Sequence, residues 1–298
     1  MLTYNMTYEF KAYISIGSTS MNFTCHAKPF AAYACLALSF GFISPTYAQS
    51  GSSDSNQADP GWIVTLGGGT EYGPSFEGAR NRSFSFVPSL DFRRADEAAS
   101  LGAPDDNIDY TLFQLGGLEL GPVVGIRGNR KTSQDSRLEG LHEIRWSVDA
   151  GAFAQYWPID DRLRLRIEAR QDLRAEDGFV ADLGADWFQR VGDKILLSAG
   201  ARLSLANTAY MQNSFGVSEA ESLRGAYFPA FDAHGGFKST GFVISATYQM
   251  MPDMNIQLYN KFEQLIGDAA DSPLVRLGGS ANQNTVGVVF TRSFPTNF

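Results

Sequence analysis

The chain has 298 residues and a net charge of −8, with 24 basic residues, 32 acidic residues and two cysteines. An acidic chain without a basic run is not expected to bind nucleic acid. Beyond residue 48, no apolar run reaches the roughly 18 residues that predict a transmembrane helix.

The first 48 residues are predicted to be a signal peptide. Phe30–Ile43 is an uncharged apolar run of 14 residues, preceded by Lys28. Thr46 and Ala48 fit the small-residue positions of a signal-peptidase site, so cleavage is expected after Ala48. Met21 would begin a signal peptide of ordinary length and is the expected true start, with a long N-terminal region as the alternative.

Both cysteines, Cys25 and Cys35, fall inside the predicted signal peptide. The mature chain would then have none, which excludes disulfides, thiol catalysis and cysteine–zinc sites. Loss of two basic residues and one acidic residue with the peptide changes the net charge from −8 to −9. Residues 49–60 are rich in Ser, Gly and Asp and predict a flexible leader, followed by one domain over residues 61–298.

From Gly61 onward, polarity alternates with a period of two, which predicts β-strands. In Ser83–Phe92, the Phe and Leu side chains fall on one face and the Ser and Asp side chains on the other. In Arg162–Arg170, four arginines and a glutamate share one face, whereas a helix would spread them around its circumference. The same alternation occurs in Ile144–Tyr156, Phe179–Trp187, Ile195–Leu205, Phe242–Tyr248, Met254–Leu258 and Val286–Phe294.

These strands predict an all-β fold, a transmembrane antiparallel β-barrel of the outer membrane, in preference to a soluble β-sandwich. The strands have about ten residues, the length that crosses a bilayer at a tilt. Charges crowd the polar face, which suits a wet lumen, and the sequence ends in an aromatic residue, Phe298. Aromatic residues also fall at strand ends, where interfacial girdles occur: Trp62, Trp146, Tyr156, Trp157, Trp187 and Tyr248.

Ten strands are expected from the connections between them, with twelve as the alternative. Short connections occur at Pro158–Asp161, Val191–Asp193 and Met250–Asp253 and are assigned to the periplasmic side. The long connections are assigned to the outside: Glu71–Arg82, Asn129–Glu143, Asn207–Gly236 and Ile266–Gln283. A hairpin turn at Gly116-Gly117 or a strand within Ala226–Gly235 would raise the count to twelve. The connection Arg94–Ile108 is longer than a periplasmic turn should be.

Charged residues are concentrated on the polar faces of three consecutive strands. Neighbouring strands would bring them within pairing distance. One interpretation is an ion-pair network that fills a narrow lumen, and the other is a charged constriction that selects solutes. The residues are Arg145, Asp149, Arg162, Arg164, Arg166, Glu168, Arg170, Asp172, Asp182, Asp186 and Arg190.

The sequence predicts no catalytic, cofactor-binding or metal-binding residues. His142 lies near Glu139 and Glu143, and His234 near Asp232, but neither has the spacing of a metal site or a catalytic triad. A pair of Ser272 and His234 would be needed for a hydrolase, and nothing in the sequence places them together. Gly67-Gly68-Gly69 lacks the Lys-Ser/Thr of a phosphate loop and is expected to allow close strand packing.

Three segments of the sequence resemble the MipA/OmpV family of outer-membrane proteins. They are GGGTEYGPSFEGA at Gly67–Ala79, SFGVSEAES at Ser214–Ser222, and GDAADSPLV at Gly267–Val275 followed by Gly279, Ser280, Asn282 and Gln283. The resemblance covers roughly residues 60–298. It implies a scaffold that brings a periplasmic lytic transglycosylase together with a murein polymerase, and it carries no catalytic residues with it.

The sequence therefore predicts a non-enzymatic barrel in the outer membrane of a Gram-negative bacterium, embedded in outer-membrane lipid. A scaffold for peptidoglycan enzymes is the expected function, and a porin-like channel for small solutes is the alternative. An outer-membrane hydrolase is the least favoured class.

Overall fold

The computed structural model describes residues 61–174, 178–224 and 227–296, together with two strands near the N-terminus. The chain divides into two units, residues 1–56 and 57–298. In the first, β1 (Tyr8–Ile16) pairs antiparallel with β2 (Thr19–Ala27). The predicted apolar signal segment, the cleavage site and the leader 49–60 lie outside the described residues.

The second unit is built on a twelve-stranded antiparallel sheet. Ten of its strands have ten or more residues, long enough to cross a bilayer at a tilt. In chain order the strands are β3 (Trp62–Pro74), β4 (Arg82–Arg94), β5 (Ile108–Asp109), β6 (Phe113–Leu115), β7 (Leu118–Arg127), β8 (Ser147–Ile159), β9 (Leu163–Asp172), β10 (Phe179–Val191), β11 (Ile195–Ala206), β12 (Gly236–Met251), β13 (Met254–Leu265) and β14 (Asn282–Thr296).

Helical segments occur only in connections between the strands of the described region. They are α1 (Thr208–Phe215), α2 (Glu219–Leu223), α3 (Gly267–Asp271), two 3₁₀ turns (Thr132–Gln134 and Ser136–Leu138) and a π-helical turn (Leu274–Gly278). None of the helices in the described part of the chain is long and apolar enough to span a bilayer.

The sheet curves into a nearly closed barrel because the first and last long strands pair. Across the sheet the strand order is β4, β3, β14, β13, β12, β11, β10, β9, β8, β7 and β5, and β6 also pairs with β7. Trp62 at the start of β3 is registered with Thr296 at the end of β14. The predicted antiparallel β-barrel is thereby confirmed.

The barrel is apolar outside and charged inside, as the alternating pattern predicts. In β9, Leu165 and Ile167 are exposed, whereas Arg164 is only 2% exposed and Arg166 and Glu168 are buried. In β4, Phe84 and Phe86 are the outward side chains and are about three-quarters exposed, at 77% and 74%. Such an inverted distribution suits a barrel whose exterior contacts lipid.

The two ends of the barrel differ. At one end, called the turn end, consecutive strands are joined by the predicted short turns, for example Asp160–Arg162 between β8 and β9. Five of the predicted girdle aromatics lie near this end: Trp62, Tyr156, Trp157, Trp187 and Tyr248. At the other end, called the cap end, the long connections gather.

The prediction of ten strands is wrong by two short strands. The Gly116-Gly117 turn is present and joins β6 to β7, and both glycines have positive φ, 55° and 80°, as a two-residue hairpin of type I′ requires. The other position proposed for an extra strand is not one, because within 227–235 only Phe231 forms a bridge, with Val217.

The two edges of the sheet are β4 and the short strand β5. Pro88 lies within β4, which suits an edge strand because proline cannot donate a ladder hydrogen bond. Within the described region no ladder joins β4 to β5, β6 or β7. Tyr110 covers this seam, stacking on Phe92 of β4 with ring centroids 5.5 Å apart.

Candidate functional site

The inner wall of the barrel carries a connected network of ion pairs. Arg164 Nη2 lies 2.8 Å from Asp186 Oδ2 on the neighbouring strand, and each side chain is 2% exposed. Arg202 Nη1 of β11 contacts the other oxygen of the same carboxylate at 2.8 Å. On the same two strands, β9 and β10, Arg170 contacts Asp182. The register places Arg164 directly opposite Asp186, whereas Arg202 and Arg170 reach acids two residues along the neighbouring strand.

The connection between β4 and β5, residues 95–107, folds into the lumen and is called the inner segment. Asp106 receives two hydrogen bonds from Arg164, from Nη1 at 2.6 Å and from Nη2 at 2.9 Å. Asp105 receives two from Arg202, from Nε at 3.0 Å and from Nη2 at 2.8 Å. Asn107 donates to Glu168 at 2.7 Å. The connection that was too long for a turn therefore lies inside the barrel, against the wall.

A second polar group fills the lumen towards the cap end. Lys238 of β12 contacts Glu77 and lies 3.7 Å from Glu263 of β13. Tyr210 of α1 donates its hydroxyl proton to Glu77 at 2.8 Å. The guanidinium of Arg127 lies over the Tyr210 ring, 4.4 Å from its centroid. This group connects the inner wall to the loops above it.

The wall formed by β3 and β14 contains several glycines in close contact with neighbouring strands. Gly69 packs so closely on β14 that an added Cβ would lie 2.0 Å from the Val288 carbonyl oxygen. Gly287 faces Tyr259, whose hydroxyl donates to Glu71 at 2.8 Å. The expectation of close strand packing at Gly67-Gly68-Gly69 is confirmed.

The long connections pack together into a compact cap with an apolar interior. It comprises residues 75–81, 128–146, 207–224, 227–235 and 266–281. One buried cluster contains Val180, Ala206, Tyr210, Met211, Phe215, Ala233, Leu265, Ala269 and Val275. A second contains Leu138, Leu141, Val217, Phe228 and Leu274, with Phe76 packed against it. Both clusters draw on several connections, so the cap closes as one unit.

The three segments that carry the family resemblance meet in this cap. Ser272, from the third segment, is fully buried and donates its hydroxyl proton to the Phe215 carbonyl, in the second, at 2.6 Å. Gly78, from the first, donates to Gln283 Oε1 at 3.2 Å. The resemblance therefore marks contacts that close the cap.

A buried polar group connects two of the cap loops. Arg130, 3% exposed, donates to the Ser214 carbonyl at 2.6 Å. Burial lowers the pKa of Arg130 to about 10. Glu221 accepts hydrogen bonds from the His142 backbone at 2.7 Å and from Ser218 Oγ at 2.6 Å. Burial opposes ionisation, but these bonds hold the pKa of Glu221 at about 2.

Three arginines that the sequence placed in the lumen network lie elsewhere. Arg145 precedes β8 and is exposed in the cap, while Arg162 and Arg190 are exposed at the turn end. The alternating pattern was extended to the strand ends and beyond, where side chains turn to solvent: Arg190 is the second-last residue of β10, and Arg145 and Arg162 precede β8 and β9. The sequence did not reveal Asp105, Asp106 and Asp109 as partners of the wall arginines, because polar and apolar residues do not alternate around them.

The remaining sequence candidates have ordinary partners. His142 contacts Glu221 and Asn213, and not the adjacent Glu139 or Glu143. His234 is 76% exposed in its side chain and pairs with Asp268. Ser272 donates its hydroxyl proton to the Phe215 carbonyl in the cap, as described above. Among the described residues, no group of three or more His, Cys, Asp or Glu could hold a metal ion.

Solved structures with a related arrangement of strands are outer-membrane proteins of low sequence identity. An outer-membrane channel from Pseudomonas putida F1 is 10% identical, with a TM-score of 0.40, over 83% of this chain and all of the other. OmpT of Vibrio cholerae is 8% identical, with a TM-score of 0.32, over 81% of this chain and all of the other. The channel DcaP of Acinetobacter baumannii is 12% identical, with a TM-score of 0.31, over 78% and 96% of the two chains. Likeness at this level says nothing about activity.

No curated protein matches the sequence. The family model described as MltA-interacting protein MipA matches residues 66–294, which is nearly the whole barrel. With its apolar exterior and charged interior, the chain is a barrel of the Gram-negative outer membrane. It belongs to the MltA-interacting protein MipA family.

Proposed function

We propose that this barrel is a closed, non-enzymatic scaffold for enzymes that cleave and build murein. The observation that carries the proposal is the filled lumen. Ten long strands leave only slightly more room than side chains need, since about eight strands are filled by side chains alone. Here the inner segment and the buried arginines occupy that room. With the bore occupied, function has to reside on the two ends of the barrel.

The murein partners come from the family. Its name describes a protein that interacts with MltA, and the resemblance implies a lytic transglycosylase and a murein polymerase. With the predicted orientation, the turn end faces the periplasm. Exposed carboxylates lie on its short turns, at Asp160, Asp161 and Asp193. These carboxylates, which lie beside the exposed Arg162, Arg190 and Lys194, would offer acidic contact points to basic side chains of a periplasmic enzyme.

The test is co-purification from cross-linked membranes, with a periplasmic lytic transglycosylase detected by antibody. Replacing Asp160, Asp161 and Asp193 with Lys should reduce its recovery severalfold. The matched control replaces Glu139 and Asp232, exposed acids of the cap, and should leave recovery unchanged. Equal recovery of the enzyme with all variants would show that the turn end is not the binding surface. Absence of the enzyme from the preparation of unsubstituted protein would overturn the scaffold proposal.

The alternative is a small-solute channel, which requires a continuous path through the lumen. The unsubstituted protein in planar bilayers is expected to give no steady conductance. Robust conductance at neutral pH would contradict the closed scaffold and support the channel.

A further inference from the structure

Two neighbouring carboxylates of the inner segment are hydrogen-bonded to two arginines of the wall, as the carboxylates of a bound ligand would be. Asp105 sits on Arg202 and Asp106 on Arg164, each through a two-bond contact between guanidinium and carboxylate. Such paired bonds are the geometry by which arginine recognises free carboxylates. The two arginines come from different strands and lie on either side of one wall carboxylate, Asp186.

The inner segment is held to the wall mainly by these side chains. It forms no ladder with a wall strand. At its start the Ala95 N–H donates to the Gly61 carbonyl at 3.0 Å, and its other backbone hydrogen bonds are local, such as Asp106 N–H to the Ala103 carbonyl at 3.2 Å. Its first residues, 95–100, are exposed, and Leu101 and Ala103 are buried. A solute that took over the two arginines would therefore remove the principal contacts of the segment.

Arg164 and Arg202 depend on the segment for only part of their charge compensation. Without Asp105 and Asp106, Arg164 and Arg202 still share Asp186, and Arg166 still contacts Glu168 at 2.7 Å. Vacating the site thus leaves a folded wall with unused guanidinium donors. This is the condition for a ligand site and not merely for a structural ion pair, whose loss would leave buried charges alone.

We infer that Arg164, Arg202 and Asp186 form a lumen site for a small solute with two carboxylates, and that the inner segment occupies this site as an internal ligand. Binding of such a solute displaces the segment and opens the bore. The inference goes beyond the scaffold and does not depend on murein partners. A barrel that binds its enzymes and never opens would agree with the proposed function and would contradict the inference of a solute site.

Displacement is measured with a cysteine reporter at Ala103, which is 8% exposed. In the Ala103→Cys protein, a membrane-impermeant maleimide should react slowly, and the parent protein measures the background labelling. Succinate should raise the labelling rate about tenfold or more, and acetate at equal ionic strength should not. Equal effects of the two salts would mean charge screening alone, and that outcome or no effect of succinate would overturn the inference.

A second measurement removes the internal ligand. Asp105→Asn with Asp106→Asn should speed labelling of Ala103→Cys without succinate and should produce conductance in planar bilayers. The matched control, Asp96→Asn with Glu97→Gln, removes two acids of the same segment that lie at its exposed start, where Asp96 contacts Arg94. It should behave like the parent. Heat-dependent gel mobility establishes folding, and slow labelling of a folded Asp105→Asn, Asp106→Asn barrel would contradict the inference. If that variant does not fold, the succinate measurement decides alone.

Discussion

Gln283 in β14 accepts a hydrogen bond of 3.2 Å from the Gly78 N–H, 205 residues earlier in the chain. Its amide group also donates to the Ala79 carbonyl at 3.3 Å, and the side chain is 6% exposed. One glutamine therefore holds the first cap connection against the last strand.

Replacing Gln283 with Ala should loosen this connection while the barrel stays folded. Leaving buried backbone groups unpaired costs about 1–3 kcal/mol, so amide exchange in residues 75–81 should accelerate roughly tenfold or more. Hydrogen exchange read by mass spectrometry measures it. Gln264→Ala is the control, because Gln264 is an exposed glutamine at the end of β13, and identical exchange in the two variants would contradict the role of Gln283.

Arg164→Met should strongly destabilise the barrel. The substitution leaves Asp106 and Asp186 facing each other without the cation between them. Removing one partner of a buried pair costs about 3–5 kcal/mol. Urea unfolding in detergent micelles, followed by gel mobility, measures the change. Arg162→Met, in an exposed position one residue before β9, should cost about 1 kcal/mol or less, and similar midpoints for both variants would argue against a buried network.

The cap should weaken in acid because of Glu221. Its pKa is about 2 in the folded protein, below the ordinary 4.5, since Ser218 and His142 hydrogen-bond its carboxylate. A lowered folded pKa contributes stability that is present above about pH 4.5 and is lost as the pH falls towards 2. Proteolysis of the cap by pepsin across this range should rise for the parent protein. Glu221→Gln should be cleaved more readily at the top of the range and change less with pH; an unchanged profile would exclude Glu221 as the cause.

The cap should face the cell exterior. An epitope tag inserted after Leu223, which is 88% exposed at the end of α2, should bind antibody on intact cells. A tag in the Pro252–Asp253 turn should bind only after the outer membrane is permeabilised. The reverse pattern would invert the orientation and move the acidic turns to the outside.

The mature protein should begin at Gln49. The apolar run Phe30–Ile43 followed by Thr46 and Ala48 predicts cleavage there. N-terminal sequencing of protein extracted from membranes checks it, and recovery of a peptide containing Cys35 would contradict the prediction.

The barrel was predictable because its pattern is enforced residue by residue. Leu165 must face lipid and Arg164 must face the lumen, so the sequence alternates wherever a strand crosses the membrane. The pattern fails at the strand ends, which is why Arg145, Arg162 and Arg190 were placed wrongly.

The inner segment was not predictable from periodicity, because its residues pair with a wall formed much later in the chain. Two signals pointed to it. The connection Arg94–Ile108 was too long for its position, and Asp105, Asp106 and Asp109 match in charge a row of arginines that wall acids alone would not fully neutralise. Together, the unusual length of this connection and its negative charge predict that the segment lies in the bore.

The unladdered seam between β4 and β5 means that β3 and β14, the first and last barrel strands in chain order, are not the edges of the sheet. Trp62 and Thr296 are already neighbours in the β3–β14 ladder, so a short linker could join them without bending a strand. A circular permutant opened within the inner segment, between Ala98 and Ala99, would then keep every ladder of the barrel and would run from one sheet edge to the other in a single unbroken order of strands.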